Sequence, residues 1–209
     1  MYKWHEHIIR NKVLGVSGSP RKNGNSDMLL RQIVKGVNEQ TSSYTTINLR
    51  DYQFSSCIGC EKCRKDKICT GLNDGMTLLY KVIFESKGLI LTSPTHNYNV
   101  TAIVKAFIDR LYCFYEFNDA RPRAWKSQLG GQGRKAIIAA ICEQKDKRDM
   151  GVTLEAMRWP LEALGYEIIE EIAVFRLFDK GAIEKEEKVL EQARLSGIKL
   201  GKAIKKNSD

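Results

Sequence analysis

The sequence predicts an α/β protein: a doubly wound, five-stranded parallel sheet of order 2-1-3-4-5 with helices on both faces. Three observations predict it. Five short apolar runs alternate with longer segments whose apolar residues recur at helical spacing. The runs are apolar on both faces, as in strands covered above and below. The 209 residues suffice for one full core and are short for two, and right-handed crossovers at this length give the stated order. A single domain over 1–209 is expected, with a cysteine-rich insertion at about 51–72.

The first strand is the run Val13, Leu14, Val16, and the helix after it carries Leu29, Leu30, Ile33, Val34 and Val37. Tyr44 to Leu49 is the second strand. The cysteine segment follows, and Asp74 is placed to cap a helix carrying Met76, Leu79, Val82 and Ile83. Gly88 to Ser93 is the third strand, ended by Pro94. A polar turn, Thr95 to Asn99, opens a helix with Ile103, Val104, Phe107, Ile108 and Leu111. The stretch 118–134 is polar, basic and glycine-rich, a long connection of the kind that contacts partners. Ala136 to Ile141 is the fourth strand, and the helix with Leu154, Met157, Leu161 and Leu164 is expected to kink at Pro160. Glu167 to Phe175 is the fifth strand, and a charged helix from about Ile183 to Lys206 closes the chain.

The turn between first strand and first helix carries the chemistry. It reads Ser17-Gly-Ser-Pro-Arg-Lys-Asn-Gly-Asn-Ser26. The opening N–H groups of a helix lack internal partners, and the peptide dipoles make that end positive, so a phosphate satisfies both. Ser17, Ser19 and Ser26 add hydroxyl donors, and Arg21 adds a cation able to grip a phosphate with two bonds. A nucleoside-triphosphate loop is a poor match, because five residues separate Gly18 from Gly24 and Asn25 stands where lysine is needed. The dinucleotide glycine pattern is absent too. A hydroxyl-lined loop suits a terminal phosphomonoester, as in a mononucleotide; the plain alternative is a strand-to-helix turn with an Asn or Ser cap. In the predicted order, the turns after strands one, three and four share one edge, where a ligand sits.

Cys57, Cys60, Cys63 and Cys69 form the second signal, spaced C-x2-C-x2-C-x5-C. Zinc ribbons pair two knuckles across a dozen or more residues. A compact run suits four thiolates that each take one iron of a 4Fe-4S cubane. A structural zinc site and free thiols remain the alternatives. Lys62, Arg64, Lys65 and Lys67 surround the sulfurs and would steer an acidic electron-transfer partner of ferredoxin type.

Taken together, these residues resemble the NAD(P)H-dependent FMN reductase family of the flavodoxin-like fold. The run Gly18 to Ser26 is similar to its FMN phosphate loop. Ser93-Pro94 and the helix Val100 to Arg110 resemble its flavin-ring loop and the helix behind it, and the compact cysteines narrow the match to the iron–sulfur flavoprotein branch. The likeness runs from Lys12 to about Leu177. It implies that Ser17, Ser19, Pro20, Arg21, Asn25 and Ser26 hold the FMN phosphate. It also implies that Pro94, Thr95, His96, Asn97 and Tyr98 line the ring, with Cys142 and Glu143 on the far side, and that Cys57, Cys60, Cys63 and Cys69 hold the cluster. NAD(P)H as electron donor, single-electron exchange between cluster and FMN, and a homodimer or homotetramer completing the flavin pocket are further implications. The family usually carries tyrosine where His96 stands.

Composition excludes several classes. The net charge of +9 is spread along the chain apart from a lysine-rich final helix, so no nucleic-acid module is expected. No apolar stretch reaches membrane-spanning length. The N-terminus lacks the apolar core of a signal peptide, which predicts a cytoplasmic protein. His96 is either a flavin neighbour that donates a proton to the reduced ring or a polar turn residue. His5 and His7 read as exposed ends, Cys113 as a small core side chain, and Trp125 with Arg121, Arg123 and Lys126 as a solvated loop. The functional expectation is an FMN-dependent electron-transfer oxidoreductase with a 4Fe-4S cluster. The alternatives are a plain NAD(P)H-dependent FMN or quinone reductase, and a non-catalytic zinc or partner-binding module on the same scaffold.

Overall fold

The computed structural model describes residues 10–40 and 43–206; His5 and His7 lie outside them. Strand β1 (Arg10–Ser17) leads into helix α1 (Asn25–Asn38), and β2 (Tyr44–Asn48) into the cysteine segment with its short helix α2 (Lys62–Asp66). Helix α3 (Gly75–Glu85), β3 (Ser86–Pro94) and α4 (Ala102–Arg110) follow. A small hairpin, β4 (Tyr115–Phe117) and β5 (Trp125–Ser127), precedes β6 (Lys135–Ile141), α5 (Lys147–Met150), α6 (Thr153–Ala163), β7 (Glu167–Val174) and α7 (Glu187–Lys206). The main sheet has the order β2-β1-β3-β6-β7, parallel throughout. With β6 and β7 as fourth and fifth strands, this is the expected doubly wound order. All five strands end on one rim.

Alternation along the strands sends side chains into two cores. Leu14, Val16, Leu89, Leu91 and Ile138 pack with α3, α4 and α6, whereas Val13, Ile90, Ile137, Ile172 and Val174 pack with α1 and α7. Asp74 caps α3 as expected, accepting the Met76 N–H at 3.1 Å. Cys113 is a buried core side chain, as expected. The solvated lysine face is there too: Lys199, Lys202 and Lys205 are exposed on α7. Among the described residues no helix is long and apolar enough to cross a membrane.

One expectation changes. The connection 118–134 is not a plain loop, because Tyr115–Phe117 pairs antiparallel with Trp125–Ser127. Its aromatic residues pack on each other, Tyr112 on Phe117 at 5.2 Å and Tyr115 on Trp125 at 5.1 Å between ring centres. Three-residue strands are too short for their alternation to register as a period. Helix α6 carries Pro160 inside it and runs on to Ala163, so the proline does not end the helix.

Two contacts lock the layers. The guanidinium of Arg134, 1% exposed, donates to the carbonyls of Ile83, Phe84 and Ser86, closing the carbonyl end of α3 with positive charge. Helices α1 and α7 cross backbone to backbone. A β-carbon on Gly36 would lie 1.8 Å from the Arg194 carbonyl oxygen, and one on Gly197 1.9 Å from that of Ile33. Gly36→Ala is therefore expected to cost about 2 kcal/mol by forcing the helices apart. Urea unfolding should show a lowered midpoint with an unchanged slope.

Candidate functional site

The rim turn after β1 is built around two glycines. A β-carbon on Gly18 would lie 1.9 Å from Cγ2 of Val104, so only glycine lets the turn pass under α4. The Gly18 N–H donates to the Thr92 carbonyl at 2.8 Å and its carbonyl accepts from Oγ1 of Thr101, the α4 cap, at 2.9 Å. Gly24 occupies the cap position of α1 and supplies no side-chain acceptor. The first intrahelical bond runs from the Met28 N–H to the Gly24 carbonyl, so the N–H groups of Asn25, Ser26 and Asp27 have no intrahelical acceptor.

Each predicted loop residue has a definite place. Ser17, Ser19, Asn25 and Ser26 are buried beneath the turn, whereas Pro20 and Arg21 are exposed. The Ser17 hydroxyl donates to Oδ1 of Asp27, and the Ser19 hydroxyl exchanges bonds with the Arg21 backbone at 3.1 and 3.2 Å. Asn25 ties the loop to the far side of the site, donating to the Asp179 carbonyl at 3.0 Å and accepting from the Ile183 N–H at 3.3 Å. The Arg21 guanidinium reaches the Phe178 carbonyl at 3.0 Å and lies 5.3 Å from that ring's centre.

After β3 the chain makes a tight reversal. His96 and Asn99 exchange backbone bonds at 2.8 and 3.1 Å, and Asn97 and Tyr98 both take positive φ, 49° and 66°. That pair of left-handed residues is the geometry of a type I′ turn. His96, Asn97 and Tyr98 are exposed on it, next to half-buried Pro94 and Thr95. Gly151 fixes the turn from below, since a β-carbon there would meet the Tyr98 carbonyl oxygen at 2.2 Å. The loop after β6 leaves the same rim beside it. There the Cys142 thiol is buried in the core and Glu143 is exposed. Cys142 joins β7 through its N–H to Val174 at 2.8 Å and its carbonyl to Leu177 at 3.2 Å.

Cys57, Cys60, Cys63 and Cys69 line one cavity of about 250 Å³, with Arg110 and Tyr112 in its wall. The Gly59 N–H lies 3.5 Å from the Cys57 sulfur. A β-carbon on Gly71 would lie 2.3 Å from the Cys60 sulfur. Burial, then the neighbouring Cys69, Cys57 and Cys60, push the Cys63 thiol up to about 11. Among the described residues no three His, Cys, Asp or Glu side chains are grouped to hold a metal ion.

The excursion is closed at its neck by a buried ion pair. Arg110, 2% exposed, donates to both carboxylate oxygens of Asp74 at 2.7 and 3.0 Å, to the Ser55 carbonyl at 2.8 Å and, through Nε, to the Tyr80 hydroxyl at 3.2 Å. Asp74 accepts the Ser55 N–H at 3.1 Å, so one guanidinium ties the residues before and after the cysteines to α4. The hairpin closes over the other side through Arg123 to Glu61 at 3.3 Å and Lys67 to Glu116 at 3.7 Å. Arg123 and Lys126 are thus ion-paired with Glu61 and Glu116.

Comparison with known proteins decides the family: residues 11–142 match NADPH-dependent FMN reductase. The chain belongs to that family. An iron-sulfur flavoprotein of Archaeoglobus fulgidus is 34% identical over 158 residues, 75% of this chain and 67% of that one. Another from Methanocaldococcus jannaschii is 36% identical over 99 residues, 47% of this chain and 51% of that one. A third, from Clostridioides difficile, is 36% identical over 104 residues, 48% and 46% of the two chains. The chain spans about half the length of the latter two relatives. The NAD(P)H:quinone oxidoreductase from Methanothermobacter marburgensis superposes with a TM-score of 0.66 at 18% identity, covering 90% of this chain and 98% of that one. A flavodoxin from the domain Archaea superposes at 0.55 and 12% identity, covering 93% and 99%. At such identities the likeness is one of fold, and the fold is flavodoxin-like.

The residues of this FMN reductase family member fit the cofactor of the family name. The α1 terminus has no side-chain cap, its first N–H groups lack helical acceptors, and Gly24 leaves room over Ser19. Sequence reasoning missed two ion pairs: Asp27 with Arg50 beneath the loop, and Arg110 with Asp74, read only as a helix cap, at the cysteine neck. Both pairs join residues more than 20 positions apart, beyond any local pattern. Although burial opposes it, Arg110 and the N–H groups of Ser55 and Met76 hold the Asp74 carboxyl below its ordinary range. Its stabilisation is therefore complete above the unfolded pKa of about 3.9 and is lost as pH falls through the lower native value. Asp74→Asn should cost about 3 kcal/mol near neutrality by leaving Arg110 buried without its carboxylate. Urea stability measured from neutral to strongly acidic pH should show the gap to the parent protein closing at the acid end.

Proposed function

We propose that this protein is an FMN-dependent electron-transfer oxidoreductase whose four-cysteine cavity holds a 4Fe-4S cluster that exchanges electrons with FMN. The observation that carries the reading is helix α4. Its cap, Thr101, holds Gly18 of the phosphate loop, and its last residue, Arg110, forms part of the cysteine cavity wall. Nine helical residues at 1.5 Å each put the two sites on the order of 13 Å apart along one rigid element. The names of the relatives support iron and sulfur in such a chain. A lone tetrahedral ion needs four ligands converging on one point. Four cysteines lining one cavity suit a cluster, in which each thiolate would bind its own iron.

Bound FMN supplies hydride or single-electron chemistry, and the protein supplies placement. The uncapped α1 terminus with Ser19 and Ser26 holds the phosphate. The Pro94–Tyr98 turn and the loop at Cys142 and Glu143 would border the ring, and the exposed His96 imidazole would be the group to hand it a proton. Exposed Lys62 and Lys65 beside the cysteines favour docking of an acidic partner such as reduced ferredoxin; NAD(P)H is the other candidate donor. The protein purified without oxygen should carry about one FMN and about four irons per chain. Cys60→Ser should lose the iron and keep the flavin. Flavin without iron in the parent protein would leave a plain FMN or quinone reductase, and a colourless protein that takes up no FMN would overturn the reading.

A second copy of the chain is proposed to cover the groove between α4 and α6. That groove, of about 570 Å³, includes Asn99, Val152, Ala156 and Trp159, beside the flavin turn. Trp159 is 62% exposed and Tyr98 58%, a costly pair of surfaces for an isolated chain. Sedimentation should find dimers or tetramers for the parent protein and a shift towards monomer for Trp159→Glu.

A further inference from the structure

Beneath the phosphate loop lies a carboxylate that ought to oppose phosphate binding. Asp27 is the third residue of α1 and is 4% exposed. One oxygen accepts the Ser17 hydroxyl, and the other accepts the Asn23 N–H at 2.8 Å across the loop. A negative charge in the first helical turn cancels part of the positive end of the helix and repels an incoming phosphate. Within the loop, Arg21 and Lys22 are both exposed, and Arg21 is directed to the Phe178 carbonyl rather than to this carboxylate.

The offsetting charge arrives from another strand. Arg50, in the turn that follows β2, contacts the Asp27 carboxylate twice, at 3.0 and 2.9 Å, and its Nη1 also donates to the Ser19 carbonyl at 3.0 Å. The two contacts form a forked pair. The third holds the Ser19 carbonyl oxygen against the guanidinium. Arg50 therefore does two things for the loop: it neutralises the one carboxylate beneath it and fixes the peptide that precedes Pro20.

We propose that Arg50 is the specificity-determining residue for the phosphorylated flavin, acting through Asp27 and the Ser19 carbonyl. The inference rests on the FMN reading above and deepens it. Riboflavin carries the same ring without the phosphate, so it senses the shape of the site but not the charge balance under the loop. Loss of Arg50 exposes the phosphate to the Asp27 charge and leaves the ring site as it was.

The test is equilibrium filtration of the full chain against a mixture of FMN and riboflavin, with the free flavins separated by chromatography. In the parent protein FMN should be preferred. Arg50→Gln should weaken FMN binding about tenfold or more and leave riboflavin binding within about twofold. Asp27→Asn combined with Arg50→Gln should recover part of the FMN preference, because the repelling charge is gone. Arg50→Lys keeps the charge, and should retain a preference for FMN even if the glutamine variant folds poorly. Equal weakening of both flavins in Arg50→Gln, or no change in either, would overturn the inference. So would a double variant with no recovery, or an Arg50→Lys variant that no longer distinguishes the two. A parent protein that binds neither flavin would sink the FMN reading itself, a result distinct from these.

Discussion

No side chain fits at Gly18, and the rest of the functional rim follows from that. Because the turn after β1 carries no β-carbon there, Val104 can lie against it and Thr101 can bond its carbonyl. Helix α4 is thereby seated directly on the phosphate loop, and its direction is set. Nine residues later the same helix presents Arg110 to the neck of the cysteine excursion. One close approach of backbone to side chain thus fixes the spacing between two sites that come from different strands. A parallel sheet makes this possible, since all its carboxyl ends share one edge.

The basic character of the chain takes on structural meaning in three guanidinium groups, Arg110 and Arg134 buried and Arg50 half-buried. Each is compensated differently, as burial of charge demands. Arg50 is paired with Asp27 under the phosphate loop, Arg110 with Asp74 at the cysteine neck, and Arg134 with the carbonyl end of α3. The first two cations sit beside places suited to anionic groups, a phosphate and a set of thiolates. The third stands on the opposite edge of the sheet, where β6 begins, and serves the scaffold. Position relative to the strand ends separates the two cations on the rim of the candidate sites from the one at the other edge.

The turn after β3 shows how much strain-prone backbone a small candidate site collects. Asn97 and Tyr98 both hold positive φ, and Gly151 must lack a side chain for Val152 and Tyr98 to bond at 2.9 Å. Non-glycine residues adopt such angles only when their surroundings hold them there. Here the α5–α6 junction does so, through Gly151 and through the Thr95 and Thr153 hydroxyls 3.1 Å apart. The rim turn is thus held by the element that also forms the apolar groove.

Local signals in the sequence determined most of the scaffold. Apolar periodicity placed the five strands and the main helices, residue type placed the Asp74 cap, and the spacing of hydroxyls, glycines and cysteines pointed to two segments that both leave the same edge of the sheet. Each of those signals lies within a few residues, where the 2.0 and 3.6 periods and turn chemistry operate. The tertiary structure decided what holds the sites. Arg50 meets Asp27, Arg110 meets Asp74, Gly36 meets Arg194 and Gly151 meets Tyr98 only because the chain folds back on itself. The three-residue strands of the β4–β5 hairpin are likewise held by aromatic packing across a ten-residue separation. A contact between distant residues leaves no period to read, and its energy exists only once both partners are brought together.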